Sequence, residues 1–201
     1  MNNPRQERLR ILREARRCPH RPSLRQNAIK ALERPGDVFE FGVWEGRSIN
    51  LLANALPERT IYGFDSFEGL PEAWRGAKRT FDKGSFSAKG KVPHAPDNVK
   101  FIKGWYEDTL PEFFQSYPSS IALCHIDCDL YSSTKTVLKH IRPFIRKSTI
   151  LLFDELINYP HYARHEMKAW LEFLEETRFQ YKYLYHDSPD KQVVAKIVLG
   201  L

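Results

Sequence analysis

Two rhythms of hydrophobic positions run through the chain, a spacing of three to four residues and short continuous apolar runs. The first predicts a helix over residues 5 to 17, with Leu9, Ile11, Leu12 and Ala15 on its apolar side. A second helix follows Pro22-Ser23, placing Leu24, Ala28, Ile29 and Leu32 together, and stops at Pro35-Gly36. Then the pattern alternates. Asp37 to Phe41 reads as a strand, Gly42-Val43-Trp44-Glu45-Gly46 as a glycine-bearing turn, and Arg47 to about Leu56 as a helix. Further strands are expected at Thr60–Phe64, Val99–Lys103, from Ile121 towards Asp129, and at Thr149–Phe153. Helices are expected from near Asp108, from Ser132 to about Phe144, and from about Ala163 to Thr177. Phe179–Tyr185 and Val193–Leu199 close the chain as two strands with no helix between them. Alternating β/α units followed by a hairpin predict an α/β fold, a seven-stranded, mostly parallel sheet with an antiparallel hairpin at its C-terminal end and helices on both faces.

Carboxylates mark where the chemistry lies. The run Ile-Ala-Leu-Cys-His-Ile-Asp-Cys-Asp, residues 121 to 129, ends in Asp127 and Asp129, which share a face if the strand extends that far. The Thr149 strand likewise runs into Asp154 and Glu155. Unpartnered charge is costly to bury, and ligands of open α/β sheets bind at the carboxyl ends of the strands. A helix N-cap is the plainer role for Asp127 or Asp129 taken alone. His125 fits either the site or a satisfied core position, His165 either a substrate contact or none, and Trp44 either the site or simple packing. The strand, turn and helix at residues 37–56 resemble the opening of a nucleotide-binding unit. Asp65 lies 23 residues beyond Gly42, near the separation at which such folds hold a ribose. The irregular stretch Ser66–Asp97 is long enough to suggest a functional loop.

With 201 residues, 42% of them hydrophobic, the chain can bury one sizeable core. No apolar run approaches the ~20 residues that span a bilayer, so no membrane association is expected. The first residues have no apolar stretch behind their charges and are not expected to act as a secretory signal. The three cysteines, Cys18, Cys124 and Cys128, lack paired spacing, which suits a reduced, cytoplasmic setting. Of the +6 net charge, residues 1–34 hold ten Lys/Arg against three Asp/Glu, whereas residues 35–201 hold 21 against 22. Residues 1–34 are therefore expected to form a basic helical segment, a solvated helical face in the plainer reading or else a cap over the site or an interface such as a homo-oligomer contact, ahead of one catalytic domain at 35–201. Nucleic acid is the less favoured partner, because such enzymes usually place their basic patch beside the chemistry.

Longer strings carry a resemblance: Phe41-Gly-Val-Trp-Glu-Gly-Arg-Ser48, Tyr62-Gly-Phe-Asp-Ser-Phe-Glu-Gly-Leu-Pro71, Lys83-Gly-Ser-Phe-Ser-Ala88, His125-Ile-Asp-Cys-Asp-Leu-Tyr131, Phe153-Asp154-Glu155 and His165-Glu166. Together these resemble the macrocin O-methyltransferase family, Rossmann-like class I S-adenosyl-L-methionine-dependent enzymes that methylate sugar hydroxyls of antibiotics. The resemblance implies that Glu40, Gly42, Val43, Trp44 and Gly46 line the methionine part of the cofactor. It puts Asp65 on the ribose, with Ser66, Phe67 and Gly69 closing over the nucleoside and Ser85, Ser87, Gly104 and Trp105 as further contacts. It also implies a divalent cation, usually Mg2+, on Asp127, Asp154 and Glu155, with Asp129 as base. Which of these acids is base and which ligand stays open. The expected partner is a small-molecule hydroxyl acceptor, a sugar of a secondary metabolite by the resemblance. A catechol or phenol O-methyltransferase and a non-catalytic cofactor-binding protein are the alternatives.

Overall fold

The structure, a computed structural model, describes residues 3–76, 79–187 and 191–199; the outermost residues of the two expected segments, 1–2 and 200–201, lie outside them. Among the described residues ten strands form two sheets. The main one has eight: β1 (Arg16–Arg17), β2 (Asp37–Phe41), β3 (Ile61–Asp65), β6 (Val99–Lys103), β7 (Ile121–Ile126), β8 (Ile150–Phe153), β9 (Gln180–His186) and β10 (Val193–Leu199). Their order is β1-β9-β10-β8-β7-β2-β3-β6, with β10 antiparallel to both neighbours and every other pairing parallel. A second sheet pairs β4 (Trp74–Arg75) with β5 (Thr80–Phe81) inside the long irregular stretch.

Side-chain alternation explains the three layers. On β8, Leu151 and Phe153 join a core shared with α4 (Tyr106–Ser116), α5 (Tyr131–Ile141), α6 (Glu166–Thr177) and Ile11 of α1 (Pro4–Glu14). Ile150 and Leu152 face a second core with α2 (Arg21–Lys30) and α3 (Arg47–Ala55). Six aromatic rings surround Phe39, among them Phe64, Phe113 and Tyr117, at centroid distances between 5.1 and 6.2 Å. β7 is buried along its whole length, as a central strand covered on both faces must be.

The expected sheet was seven-stranded, and the structure has an eighth strand. The helix expected over 5–17 ends at Glu14, because Ala15 turns extended and Arg16 and Arg17 pair in parallel with Tyr185 and His186 of β9. There the chain crosses from one face of the sheet to the other, so α1 and α2 pack on opposite sides. Leu9, expected on the apolar side, is 54% exposed, whereas Ile11 is fully buried. α1 is anchored instead by Glu7, whose Oε1 accepts from the hydroxyls of Tyr181 (2.6 Å) and Tyr183 (2.7 Å). β7 stops at Ile126, so Asp127 and Asp129 follow the strand rather than sharing its face, and the backbone at Asp129 is left-handed (φ 59°). Among the described residues no helix is long and apolar enough to cross a membrane.

Candidate active site

The parallel strands end at a cavity of about 570 Å³, within the range typical of small-molecule sites. Gly42 forms part of its floor. Its φ of 94° favours glycine, and a Cβ there would run into the carbonyl oxygen of Asp127. Beyond it, Asp65 at the end of β3 organises the turn. Its Oδ2 accepts from the backbone N–H groups of Val43 and Trp44, and its Oδ1 from that of Phe67, each at 2.7 Å. An ionised carboxylate offers about four lone-pair sites, so one remains for a ligand hydroxyl. Gly104, Ser66, Gly69 and Trp105 also line the cavity. Trp44 is 41% exposed there, with its ring edge-on to Phe86 at 5.6 Å, so it is not a core residue.

Not every residue of the expected cofactor set reaches the cavity wall. Val43 and Phe67 point their side chains into the α2/α3 core and contribute through their backbones. Gly46 caps α3 in a left-handed conformation. The Ser85 carbonyl accepts from Leu70 N, and Ser87 Oγ accepts from Lys89 N, so both shape the loop from outside the lining. Glu40 lies beneath it, fully buried, accepting from Ser48 Oγ (2.9 Å), with its Oε2 2.8 Å from Nδ1 of His125.

The opposite wall is acidic. Asp127, Asp129, Asp154 and Glu155 line it, and Glu166, buried behind them, accepts from the Glu155 backbone N–H at 3.1 Å. Asp154 is the best compensated. Its Oδ2 takes Arg21 (3.0 Å), while its Oδ1 takes Arg25 (3.3 Å) and the Gln192 side-chain amide and faces His125 Nε2 at 3.6 Å. Burial alone would raise its pKa, but His125 and the two arginines hold it below the usual range. Glu155 pairs with Lys191, yet burial pushes it up to about 7. Asp127 and Asp129 have no side-chain hydrogen bond among the described residues, and burial followed by neighbouring carboxylates holds both well above the ordinary range. The same neighbours act on His125 in reverse. Burial would lower it, but the carboxylate of Asp154 facing it and its bond to Glu40 raise it to about 9.

Excess negative charge of this kind suits a cation. The expected trio was Asp127, Asp154 and Glu155. The atoms that converge most closely, within 4.8 Å, are those of His125, Asp127 and Asp154, while Glu155 turns Oε1 to Lys191 and keeps Oε2 buried without a partner among the described residues. Carboxylate oxygens form a hard donor set that fits Mg2+.

Several contributors had no distinguishing mark in the sequence. Arg21 and Arg25, one helical turn apart, come from the basic N-terminal segment, and Lys191 and Gln192 from the turn before β10. Trp74 and Phe81 of the β4–β5 pair and Phe86 of the following loop form an aromatic wall, with the Arg79 guanidinium 4.6 Å from the centre of the Phe81 ring. His165 lies outside the lining, its ring near Trp74 and Tyr159.

Comparison with known proteins agrees with this architecture. A tetracenomycin-C rhamnosyl 4'-O-methyltransferase of Streptomyces olivaceus is 28% identical over 60% of this chain and 53% of its own length. A demethyldecarbamoylnovobiocin O-methyltransferase of Streptomyces niveus is 26% identical over 63% of this chain and 55% of its own. The chain thus spans about half the length of the curated relatives it matches. Among solved structures, CalS11, a calicheamicin methyltransferase, superposes with a TM-score of 0.67 at 25% identity, over 88% of this chain and 80% of that one. A family model described as a methyltransferase domain matches residues 39–156, from within β2 to just past β8 and so across both walls of the cavity. On that match the chain belongs to the methyltransferase domain family.

Proposed function

We propose that the chain is an S-adenosylmethionine-dependent O-methyltransferase, assisted by Mg2+ or another divalent cation, that methylates a hydroxyl of a small molecule, a sugar of a secondary metabolite. The observation that carries this reading is the convergence, in one cavity, of an amide-clamped Asp65 on one side and an under-neutralised set of acids on the other. One similar enzyme is named for a rhamnosyl-bearing tetracenomycin and another for a novobiocin derivative, which supports the acceptor class.

When bound, the cofactor supplies a methyl group on a sulfonium centre, and the cation supplies a Lewis acid that lowers an acceptor hydroxyl's pKa. Everything else falls to the chain. Asp65 holds the nucleoside end, and the Gly42 turn lets the backbone approach the cofactor closely. Asp127 and Asp154, with Glu155, hold the cation. Asp129 receives the hydroxyl proton on its carboxylate. Its raised proton affinity makes it a stronger base than an ordinary carboxylate, usable once the pH lies above its own pKa. A hydrogen bond from Leu130 N to the Cys128 carbonyl closes a tight turn around Asp129, a strained backbone of the kind found at functional positions. Bringing donor and acceptor together in line supplies most of the remaining rate.

The aromatic wall of Trp74, Phe81 and Phe86 favours a second reading, a phenolic acceptor stacked on those rings. A phenol is already acidic and needs less activation. Methylation rates on sugar and catechol acceptors, with and without EDTA, separate the two.

The first test is melting temperature with S-adenosylhomocysteine, then with Mg2+ added, against an EDTA control. At 100 times its Kd the ligand stabilises by about 2.7 kcal/mol, a rise of about 5–10 °C for a chain of this size. A rise that Mg2+ enlarges, and that the Asp154→Ala chain no longer enlarges, fits the proposal. No rise at all removes the cofactor assignment.

A further inference from the structure

One side of the acid cavity is closed by the first residue of α2. Arg21 reaches acids from two different connections: its Nη1 lies 3.0 Å from Asp154 Oδ2, its Nη2 3.8 Å from Glu155 Oε1 and its Nε 4.0 Å from Asp187 Oδ2. A guanidinium committed to one acid would normally engage it through two parallel bonds. Here a single cation is spread over three acids. It is also the least confined cation of the cluster. The Arg21 side chain keeps 34% exposure, against 20% for Lys191, 17% for Arg25 and 1% for His125. Asp154 divides its oxygens accordingly. Oδ1 faces Arg25, Gln192 and His125, whereas Oδ2 has Arg21 alone among the described residues.

We propose that Arg21 is a displaceable counter-ion, which neutralises the acids until a divalent cation takes Asp154 Oδ2 and which thereby lets residues 1–34 set the cation affinity of the site. The inference rests on the cation-assisted reading above. The acids need positive charge whether or not a metal is bound, because like charges at these separations repel strongly in a partly buried site. A long, half-exposed side chain can supply that charge and swing towards solvent without unpacking its helix. Arg25 and His125, held deeper and on the other oxygen, stay in place as Asp154's fixed partners. If Arg21 instead serves to orient Asp154 for the cation, removing it weakens cation binding. Displacement predicts the opposite sign.

Isothermal titration of Mg2+ and of Mn2+ into the full chain, saturated with S-adenosylhomocysteine, decides between them. The cation Kd is expected to fall about tenfold in Arg21→Gln, equivalent to about 1.4 kcal/mol, and by less in Arg21→Lys, which keeps a charge but loses the fork. Without cation, Arg21→Gln should melt below the wild type and recover the difference at saturating Mg2+. An unchanged or raised Kd in Arg21→Gln, with the wild type binding normally, overturns the proposal. If Arg21→Gln fails to take up S-adenosylhomocysteine, the comparison passes to Arg21→Lys, where a wild-type Kd likewise overturns it. If the wild type takes up S-adenosylhomocysteine but neither metal, the cation reading itself fails and this inference falls with it. That result is distinct from failure of the counter-ion role alone.

Discussion

Replacing Asp65 separates the two jobs assigned to it, holding the turn and holding a ligand. In Asp65→Ala the amides of Val43 and Phe67 lose their acceptor at residues that are 3% and 0% exposed, while that of Trp44 opens to water. A buried unpaired amide costs about 1–3 kcal/mol, so two cost about 2–6 kcal/mol. Asp65→Asn can keep its oxygen on Val43 and Trp44 and must then turn its NH2 towards Phe67 N–H. One donor is left unpaired, at about 1–3 kcal/mol. The order of stability without ligand is therefore wild type, then Asn, then Ala. Urea unfolding followed by circular dichroism measures it. With a slope of about 2 kcal/mol per molar, Asp65→Asn should lower the midpoint by about 0.5–1.5 M at unchanged slope. S-adenosylhomocysteine titration of the folded variants gives the second readout. A wild-type urea midpoint for Asp65→Asn, together with lost ligand binding, would refute the clamp: Asp65 would then serve the ligand alone, and three 2.7 Å contacts would contribute nothing to the fold.

Two further outcomes test the scaffold. Phe39→Ala empties a fully buried position ringed by six aromatic side chains and should cost about 3–5 kcal/mol in calorimetric or urea unfolding; a loss under 1 kcal/mol would contradict the packing. Glu7→Gln weakens the acceptor shared by Tyr181 and Tyr183 and should cost about 1–3 kcal/mol, with hydrogen exchange rising first in α1; uniform exchange across α1 and β9 would show that the helix is not held there.

The strands of the sheet were legible where their apolar runs are long. Asp37–Phe41, Val99–Lys103 and Val193–Leu199 have the boundaries expected of them. β1 and the β4–β5 pair were not legible, because two residues carry no periodicity and form only where a neighbouring strand or ring stack waits. That the four carboxylates at two strand ends gather could be expected from sequence, and they line one cavity. Their shared-face geometry does not hold, since Asp129 leaves the extended conformation. Arg21, Arg25 and Lys191 look in sequence like any solvated cations. Only the tertiary path of the N-terminal segment, across the sheet edge and onto its other face, turns Arg21 and Arg25 towards Asp154. Trp44 is a different case. Its apolar ring left the site and simple packing both open in sequence, and its left-handed backbone (φ 49°) and its bond to Asp65 put it at the cavity mouth.

The crossing at Arg16–Arg17 also bears on how the protein is made. Asp154 sits between arginines 129 and 133 residues before it and an amide 38 residues after it. During synthesis the acids of β7 and β8 emerge well before Lys191 and Gln192, and β9, on which β1 must pair, also comes late. Long-range contacts of this kind form slowly, after the local ones. The acid-lined cavity is then among the last parts of the described fold to gain its full set of counter-charges, which arrive only when the β9–β10 hairpin docks.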